Sequence, residues 1–373
     1  MNMTRVPLLD IPATYPEILK DVEEAVSEVI RSGHFILGPK VGELEEKIAD
    51  YCGTGFAVGV SSGTDALLIS LMACGIGPGD EVITTPFTFF ATAGCISRTG
   101  GRPVFVDIDP ETFNIDPALL KDSITDNTRA IIPVHLYGQC ADMEAVSNIA
   151  KDSNLIIIED ASQAIGSEFK NKRAGLMGDF GCFSFFPTKN LGGFGDGGMV
   201  TTRSENNLEK LKTLRVHGSN PKYYHKIVGG NFRLDTLQAA VVLAKLKYLE
   251  GWNDKRRENA QRYSKLFEQQ GILDHVQIPR EVFPKHTFNQ YVIRVEKRRD
   301  VLKNFLQSKN IATEIYYPLP LHLQECFKDL RYRSGQFPVA EKAAREVLAL
   351  PVSHEVTPQQ QEYVVETIKE FFQ

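Results

Sequence analysis

Hydrophobic positions along this chain switch between two periods. Near the N-terminus Ile18, Val22, Val26 and Val29 recur at helical spacing and predict an amphipathic helix. Thr14 and Glu17 stand at capping-box spacing at its start, Pro16 suits its first turn, and Gly33 supplies a stop. From residue 56 onward short apolar runs alternate with helical patterns. Phe56 to Val60, Glu81 to Thr85, Pro103 to Ile108, Arg129 to Leu136, Leu155 to Glu159, Cys182 to Phe186 and Met199 to Thr202 read as strands. Thr64 to Cys74, Ala91 to Arg98 and Ala141 to Ser153 read as helices between them. Such alternation predicts an α/β layered domain around a mostly parallel sheet. Ligands of these sheets bind beyond the carboxyl ends of the strands, so the loops there are the place to look for chemistry.

The pattern changes after a long helix expected over Thr236 to Arg262. Phe288 to Val295 reads as a strand, Asp300 to Ser308 as a helix and Ala312 to Tyr316 as a strand. A final helix starts near Thr357, with Pro358 in its first turn. A chain of 373 residues is long for one core. The expected division is a large domain over 1–250 and a smaller α/β domain over 251–373.

Charge and cysteine usage narrow the class of function. With 42 basic and 47 acidic residues the net charge is −5, which gives no basic surface for nucleic acid or membrane. The Lys255-Arg256-Arg257 cluster lies among acids and reads as a solvated helix face. None of the six cysteines forms a C-x-x-C pair, so no zinc ribbon is expected, and they are too sparse for a disulfide framework. They read as mostly buried thiols in a reducing cytoplasm. Met1 to Asp10 lacks a signal-peptide pattern, and no run of about 18 apolar residues could span a bilayer. Substrate is therefore expected from solution.

Four loops at expected strand ends carry chemistry. In Ser61-Ser62-Gly63-Thr64-Asp65-Ala66 the backbone amides of Gly63 and Thr64 would open a helix towards an anion, although a plain helix cap reads the same way. Pro86-Phe87-Thr88-Phe89-Phe90-Ala91-Thr92 offers aromatic rings that could stack on a flat cofactor or simply fill the core. The apolar strand Leu155 to Ile158 runs into Glu159-Asp160-Ala161-Ser162-Gln163. A carboxylate there is partly desolvated and calls for a cation, such as a protonated pyridine nitrogen, unless it merely caps a helix. The fourth loop is Ser184-Phe185-Phe186-Pro187-Thr188-Lys189-Asn190-Leu191-Gly192-Gly193. Burial lowers a lysine pKa, and the neutral amine is the form that attacks an aldehyde. Gly193-Phe194-Gly195-Asp196-Gly197-Gly198 fits G-x-G-x-x-G but precedes a strand instead of opening a helix, so it is not a dinucleotide fingerprint.

The Asp160-to-Gln163 stretch, the Ser184-to-Gly192 stretch and the Gly195-Asp196-Gly197-Gly198 run together resemble the DegT/DnrJ/EryC1/StrS aminotransferases. The similarity spans nearly the whole chain, from Gly38-Pro39 to Tyr317 and His322. It implies a type I fold of pyridoxal 5'-phosphate (PLP) enzymes, with a mixed, mostly parallel seven-stranded sheet and an active site at a homodimer interface. Carried across, Lys189 would hold PLP covalently, Asp160 would pair with the ring nitrogen, and Gln163 would lie near the ring hydroxyl. Phe89 would stack on the ring, and Gly63, Thr64 and Ser184 would bind the phosphate. Asn231 would reach the phosphate of the neighbouring subunit, and Arg233, Tyr317 and His322 resemble residues near the sugar. The implied reaction moves an amino group from glutamate to a keto-sugar nucleotide. Lys222-Tyr223-Tyr224-His225-Lys226 looks like members acting on 3-keto sugars, which favours a UDP- or dTDP-linked hexose aminated at C3 over C4. Its product would enter a lipopolysaccharide, another surface glycan or a secondary metabolite. Sugar dehydratases of the family carry histidine in place of the lysine, and Lys189 argues against that reading. An intact lysine, aspartate and phosphate loop argues against a non-catalytic regulatory homologue.

Overall fold

A computed structural model describes residues 5–373 of the chain. The elements, in order, are α1 (Tyr15–Ser32), α2 (Pro39–Cys52), β1 (Phe56–Val60), α3 (Gly63–Ala73), β2 (Glu81–Thr84), α4 (Ala91–Arg98) and β3 (Arg102–Phe105). Then come β4 (Thr128–Ile131), α5 (Met143–Asp152), β5 (Ile156–Asp160), β6 (Glu168–Phe169), β7 (Lys172–Arg173), β8 (Phe180–Ser184), β9 (Gly198–Thr202) and α6 (Glu205–Leu214). The last third holds α7 (Thr236–Leu246), α8 (Leu249–Gln270), β10 (Tyr291–Arg294), α9 (Arg299–Ser308), α10 (Pro338–Glu346), β11 (Val347–Leu350) and α11 (Pro358–Phe372).

Seven strands form one sheet in the order β1-β9-β8-β5-β4-β2-β3. All neighbours run parallel except those of β9, which pairs antiparallel with both β1 and β8. This is the mixed, mostly parallel seven-stranded sheet that the family resemblance implies. Its strands are apolar on both faces, and successive residues divide between two cores as the pleat requires. Ala57, Ile83, Ile131, Ile157, Phe183 and Met199 pack with α2, α5 and α7. Their neighbours Val58, Val82, Ala130, Ile158, Cys182 and Val200 pack with α3, α4 and α6.

A third core gathers around the antiparallel pair β10–β11, with Tyr263 and Phe267 of α8, Leu302 and Leu306 of α9, and Val364 and Ile368 of α11. Residue 251, where the sequence pattern changes, lies inside α8. The first turns of α8 put Leu249 and Trp252 against α7 and α1, and its later turns enter the third core. An aromatic layer joins the two bodies: Phe90 stacks on Phe327 at 5.6 Å, and Phe105 meets Phe337 edge-on at 6.3 Å. Asp107 receives the Val339 and Ala340 amides at 2.9 Å, so a carboxylate after β3 caps α10.

Several expectations need correction. Thr14 caps nothing with its side chain: its hydroxyl donates back to the Ile11 carbonyl, because residues 11–14 form a 3₁₀ turn capped by Asp10. Pro16 and Gly33 do sit where expected, Gly33 with φ 69°. The long helix over 236–262 is two helices interrupted at Lys247-Tyr248, without a Gly or Pro to signal the break. The break allows Tyr248 to stack on Trp252 and to bond Asp21 of α1. Ala312 to Tyr316 is not a strand; its backbone touches β11 only at Glu314–Ala349.

Candidate active site

The carboxyl ends of β1, β2, β5 and β8 converge on one cleft of about 760 Å³, roofed by residues 314–321. Among its lining are Gly63, Thr64, Phe89, Asp160, Gln163, Ser184, Lys189 and Tyr317, eight of the eleven residues singled out in the sequence. They come from segments more than 250 residues apart along the chain, and the sheet is what brings them together.

Asp160 ends β5. Its Oδ2 accepts the Thr92 hydroxyl at 2.7 Å, and its Oδ1 accepts the Ser162 amide at 3.2 Å. Thr92 in turn contacts the Thr88 hydroxyl at 3.1 Å, so the carboxylate is held by a buried hydroxyl relay from the start of α4. The preceding Glu159 points to the opposite face, as strand alternation demands. It accepts the amides of Gly175, Met177 and Gly178 and contacts His135 Nε2 at 2.9 Å. Two adjacent acids thus have separate employment: Glu159 stitches the core, and Asp160 faces the cleft.

Lys189 lies in the turn after β8, where its own amide donates to the Phe186 carbonyl. Its stem is half-buried and its amine opens on the cleft. Burial draws its pKa down to about 8, and the Asp160 charge works against that shift. At pH 7 roughly one such amine in ten is neutral, against about one in three thousand for an ordinary lysine.

Helix α3 begins at Gly63, with Ser62 as N-cap accepting the Asp65 amide at 3.0 Å. Among the described residues the Gly63 and Thr64 amides have no acceptor, so the first turn presents two donors and the positive end of the helix dipole. A Cβ at Gly63 would stand 2.6 Å from the Ser184 Cβ, so only glycine lets α3 and β8 approach this closely. Phe89 is 57% exposed, with its ring 6.3 Å from that of Tyr317, while Phe87 is fully buried and belongs to the core. Gln163 accepts the Tyr137 amide at 2.7 Å and donates to the Tyr317 hydroxyl at 3.2 Å. Burial pushes the Tyr317 phenol well above its ordinary pKa, so it stays protonated and able to donate.

Residues 16–369 match the DegT/DnrJ/EryC1/StrS aminotransferase family. The chain belongs to this family. It is 52% identical over 98% of both chains to a protein of Geobacillus stearothermophilus named "Pleiotropic regulatory protein". It is 40% identical to the UDP-2-acetamido-2-deoxy-3-oxo-D-glucuronate aminotransferase of Pseudomonas aeruginosa, over 93% of this chain and 95% of that one. A solved structure from Bacillus subtilis, ntda with bound cofactor PMP, superposes with a TM-score of 0.92 at 33% identity, covering 99% of this chain and 86% of that one.

Three residues that the family resemblance points to lie off the cleft of the single chain. Arg233 lines an adjoining polar recess of about 580 Å³ with Ser61, Asp65, Asp235 and Gln238. Asn231 is exposed beside it and accepts from Arg233 Nε at 2.7 Å. His322 is buried at 2% exposure, 3.2 Å from Glu341 and edge-on to Phe337 at 4.7 Å. Burial lowers its pKa, with Glu341 opposing, so the ring is neutral. It packs against Phe337 of the aromatic layer, and its neighbour Leu321 is the one that lines the cleft.

Other lining residues escaped sequence reasoning. Glu314, Gln290 and Gln324 reach the cleft from irregular segments with no local signature. Asp196 lines both cleft and recess, and it lies within the glycine run rejected as a nucleotide motif. The glycines there serve close packing: a Cβ at Gly198 would stand 2.5 Å from the Ser62 backbone.

Proposed function

We propose that this chain is a PLP-dependent aminotransferase that moves an amino group from glutamate to the 3-keto group of a UDP- or dTDP-linked hexose. The observation that carries the proposal is the shared cleft, in which a lysine amine with depressed pKa faces an aspartate held by Thr92 and Ser162.

The residues present suit the cofactor. The free amides of Gly63 and Thr64, with the Ser184 hydroxyl nearby, suit a phosphate dianion. Asp160 keeps lone pairs available for a protonated ring nitrogen, and exposed Phe89 offers a face for the ring. Lys189 would hold PLP through its neutral amine. When bound, PLP supplies an electron sink and carries the amino group between the two substrates. Lys189 Nζ, once displaced, would move a proton from the α-carbon of glutamate. Asp160 would keep the ring-nitrogen proton in place. Tyr316, Tyr317 and Leu319 would wall the cleft from water.

We further infer a homodimer whose partner completes each site. Asn231 and Arg233 stand at the surface beside exposed apolar residues: Val228 is 88% exposed, and Phe35 is 45% exposed with its carbonyl accepting the Thr236 amide. Such a patch suits burial against a second copy. The six cysteines are free thiols, which supports a reducing, cytoplasmic setting, and among the described residues no helix is long and apolar enough to cross a membrane.

A regulatory role is the second reading, favoured by the name of the Geobacillus relative. A panel of 3-keto and 4-keto nucleotide sugars with glutamate, read by 2-oxoglutarate release, separates the two. Release with a 3-keto sugar is expected. A chain that binds PLP yet releases none with any sugar would refute the enzymatic reading, and faster turnover of a 4-keto sugar would refute C3 specificity.

A further inference from the structure

Lys245 is an unusual residue for the inner face of a helix. It lies in the last turn of α7, among buried alanines and valines, and is only 6% exposed. Burying an ammonium costs several kcal/mol unless it is well partnered. Its surroundings explain where it points. Its stem lies near the rings of Phe194 and Trp252, with the ammonium 5.5 and 5.8 Å from their centroids. Its ammonium donates to the Gly192 carbonyl, three residues beyond Lys189.

That carbonyl belongs to a tightly folded turn. The Lys189 amide bonds the Phe186 carbonyl, and the Gly193 amide bonds the Phe185 carbonyl at 2.7 Å. A Cβ at Gly192 would stand 2.4 Å from the Pro187 oxygen. Asn190, between the lysine and that carbonyl, is fixed by Asn253 and Asn289 at 2.7 and 2.8 Å. One side of the turn therefore presents Lys189 to the cleft, and the other is gripped from behind.

Behind Lys245 stands a buried set of groups from the small-domain side. Arg256 of α8 donates to the Phe288 carbonyl at 3.2 Å, and His354 stacks on Trp252 at 4.7 Å. Glu355 follows, with both carboxylate oxygens buried and without a hydrogen-bond partner among the described residues, its Oε1 lying 3.3 Å from His354 Nε2. Its charge acts on both Lys245 and Arg256. Burial lowers the His354 pKa, and the nearby Arg256 and Lys245 charges add to that, whereas the Glu355 charge opposes the burial-driven lowering of Lys245 and Arg256.

We propose that Lys245 is a positioning residue for Lys189: its ammonium, backed by Glu355 of the small domain, fixes the turn that presents the reactive amine. The inference rests on Lys189 holding the cofactor. It makes the pose of the small domain part of what sets the reactivity of an amine in the large one.

The test uses purified holoenzyme of wild type, Lys245→Gln, Lys245→Arg and Glu355→Gln. The readouts are kcat, KM for the sugar, and the pH midpoint of the cofactor–lysine absorbance band. A wild type without such a band sinks the cofactor reading itself, before any variant is compared. Given the band, Lys245→Gln is expected to lower kcat about 10- to 100-fold. Sugar KM should hold within about twofold, since the residue does not touch the sugar. Its midpoint should move upward as a cation leaves, and Lys245→Arg should recover most of kcat. Glu355→Gln should lower kcat in the same sense by a smaller factor. A folded Lys245→Gln enzyme with wild-type kcat and midpoint overturns the proposal. Should that variant not fold, wild-type values in Glu355→Gln overturn it instead.

Discussion

Lys189 shows how far a single side chain is altered by where the chain puts it. Its folded pKa of about 8 lies below its ordinary value because burial penalises the ammonium. The sign for stability follows. Below pH 8 the folded state carries a buried charge that the unfolded state keeps in water, so Lys189 costs stability there. As pH rises from about 8 towards 10.5 the unfolded chain binds more protons than the folded one, and the cost fades. In the cofactor-free protein, Lys189→Ala is therefore expected to raise the melting temperature at pH 7, by an amount that shrinks above pH 8. A variant less stable than wild type at pH 7 would show that the lysine stem packs more than its charge costs. Asp160 makes the complementary point. Sequence alone showed two acids after an apolar strand, and strand alternation assigns them opposite faces. Which of the two faces ligand depended on which side α4 and its Thr92 cover, and that is a tertiary fact.

Helix α3 is the element on which anion binding turns. Its start joins two requirements: amides without acceptors, and a backbone close enough to β8 that only glycine fits at residue 63. Gly63→Ala would push its Cβ into Ser184, 2.6 Å away, so the first turn must shift. Overpacking of this kind costs about 1–3 kcal/mol, and the expected result is PLP binding weakened roughly 10- to 100-fold, read by equilibrium dialysis. Unchanged affinity would mean that the phosphate is held elsewhere. Elements of this sort were legible in the sequence because cap, dipole and strand-end position act locally. The apolar runs gave all seven strands of the main sheet, with ends shifted by a few residues where side chains turn into loops. Three features resisted local reading. Thr14 spent its hydroxyl backwards on Ile11, a choice between two nearby carbonyl and amide partners that spacing does not distinguish. The gap between α7 and α8 carries no breaker, since packing of Tyr248 and Trp252 on α1 sets it. Residues 312–316 read like a strand but pair with β11 at a single point, because they leave it to line the cleft.

At the scale of the whole molecule the cleft lies where two bodies meet, and the recess beside it lies where a second copy is proposed. Eight candidate residues share one cleft, whereas Asn231 and Arg233 stand at its outer edge. If Asn231 serves the partner's site, two crippled chains should repair each other. Lys189→Ala and Asn231→Ala proteins, each inactive alone, form heterodimers in which one of two sites has both groups intact. Unfolded together and refolded at equal amounts, they are expected to recover about a quarter of wild-type activity. No recovery would mean that Asn231 acts within its own chain, and an Asn231→Ala protein active by itself would mean that the residue is not needed.

All of this depends on the amine of residue 189 being the group that carries PLP. Reducing the PLP-loaded protein with borohydride and mapping its peptides tests that most directly. The account predicts one pyridoxyl adduct per chain, on Lys189, and none in Lys189→Ala. An adduct on Lys245 or any other lysine, or no adduct in a protein that has taken up PLP, would contradict it.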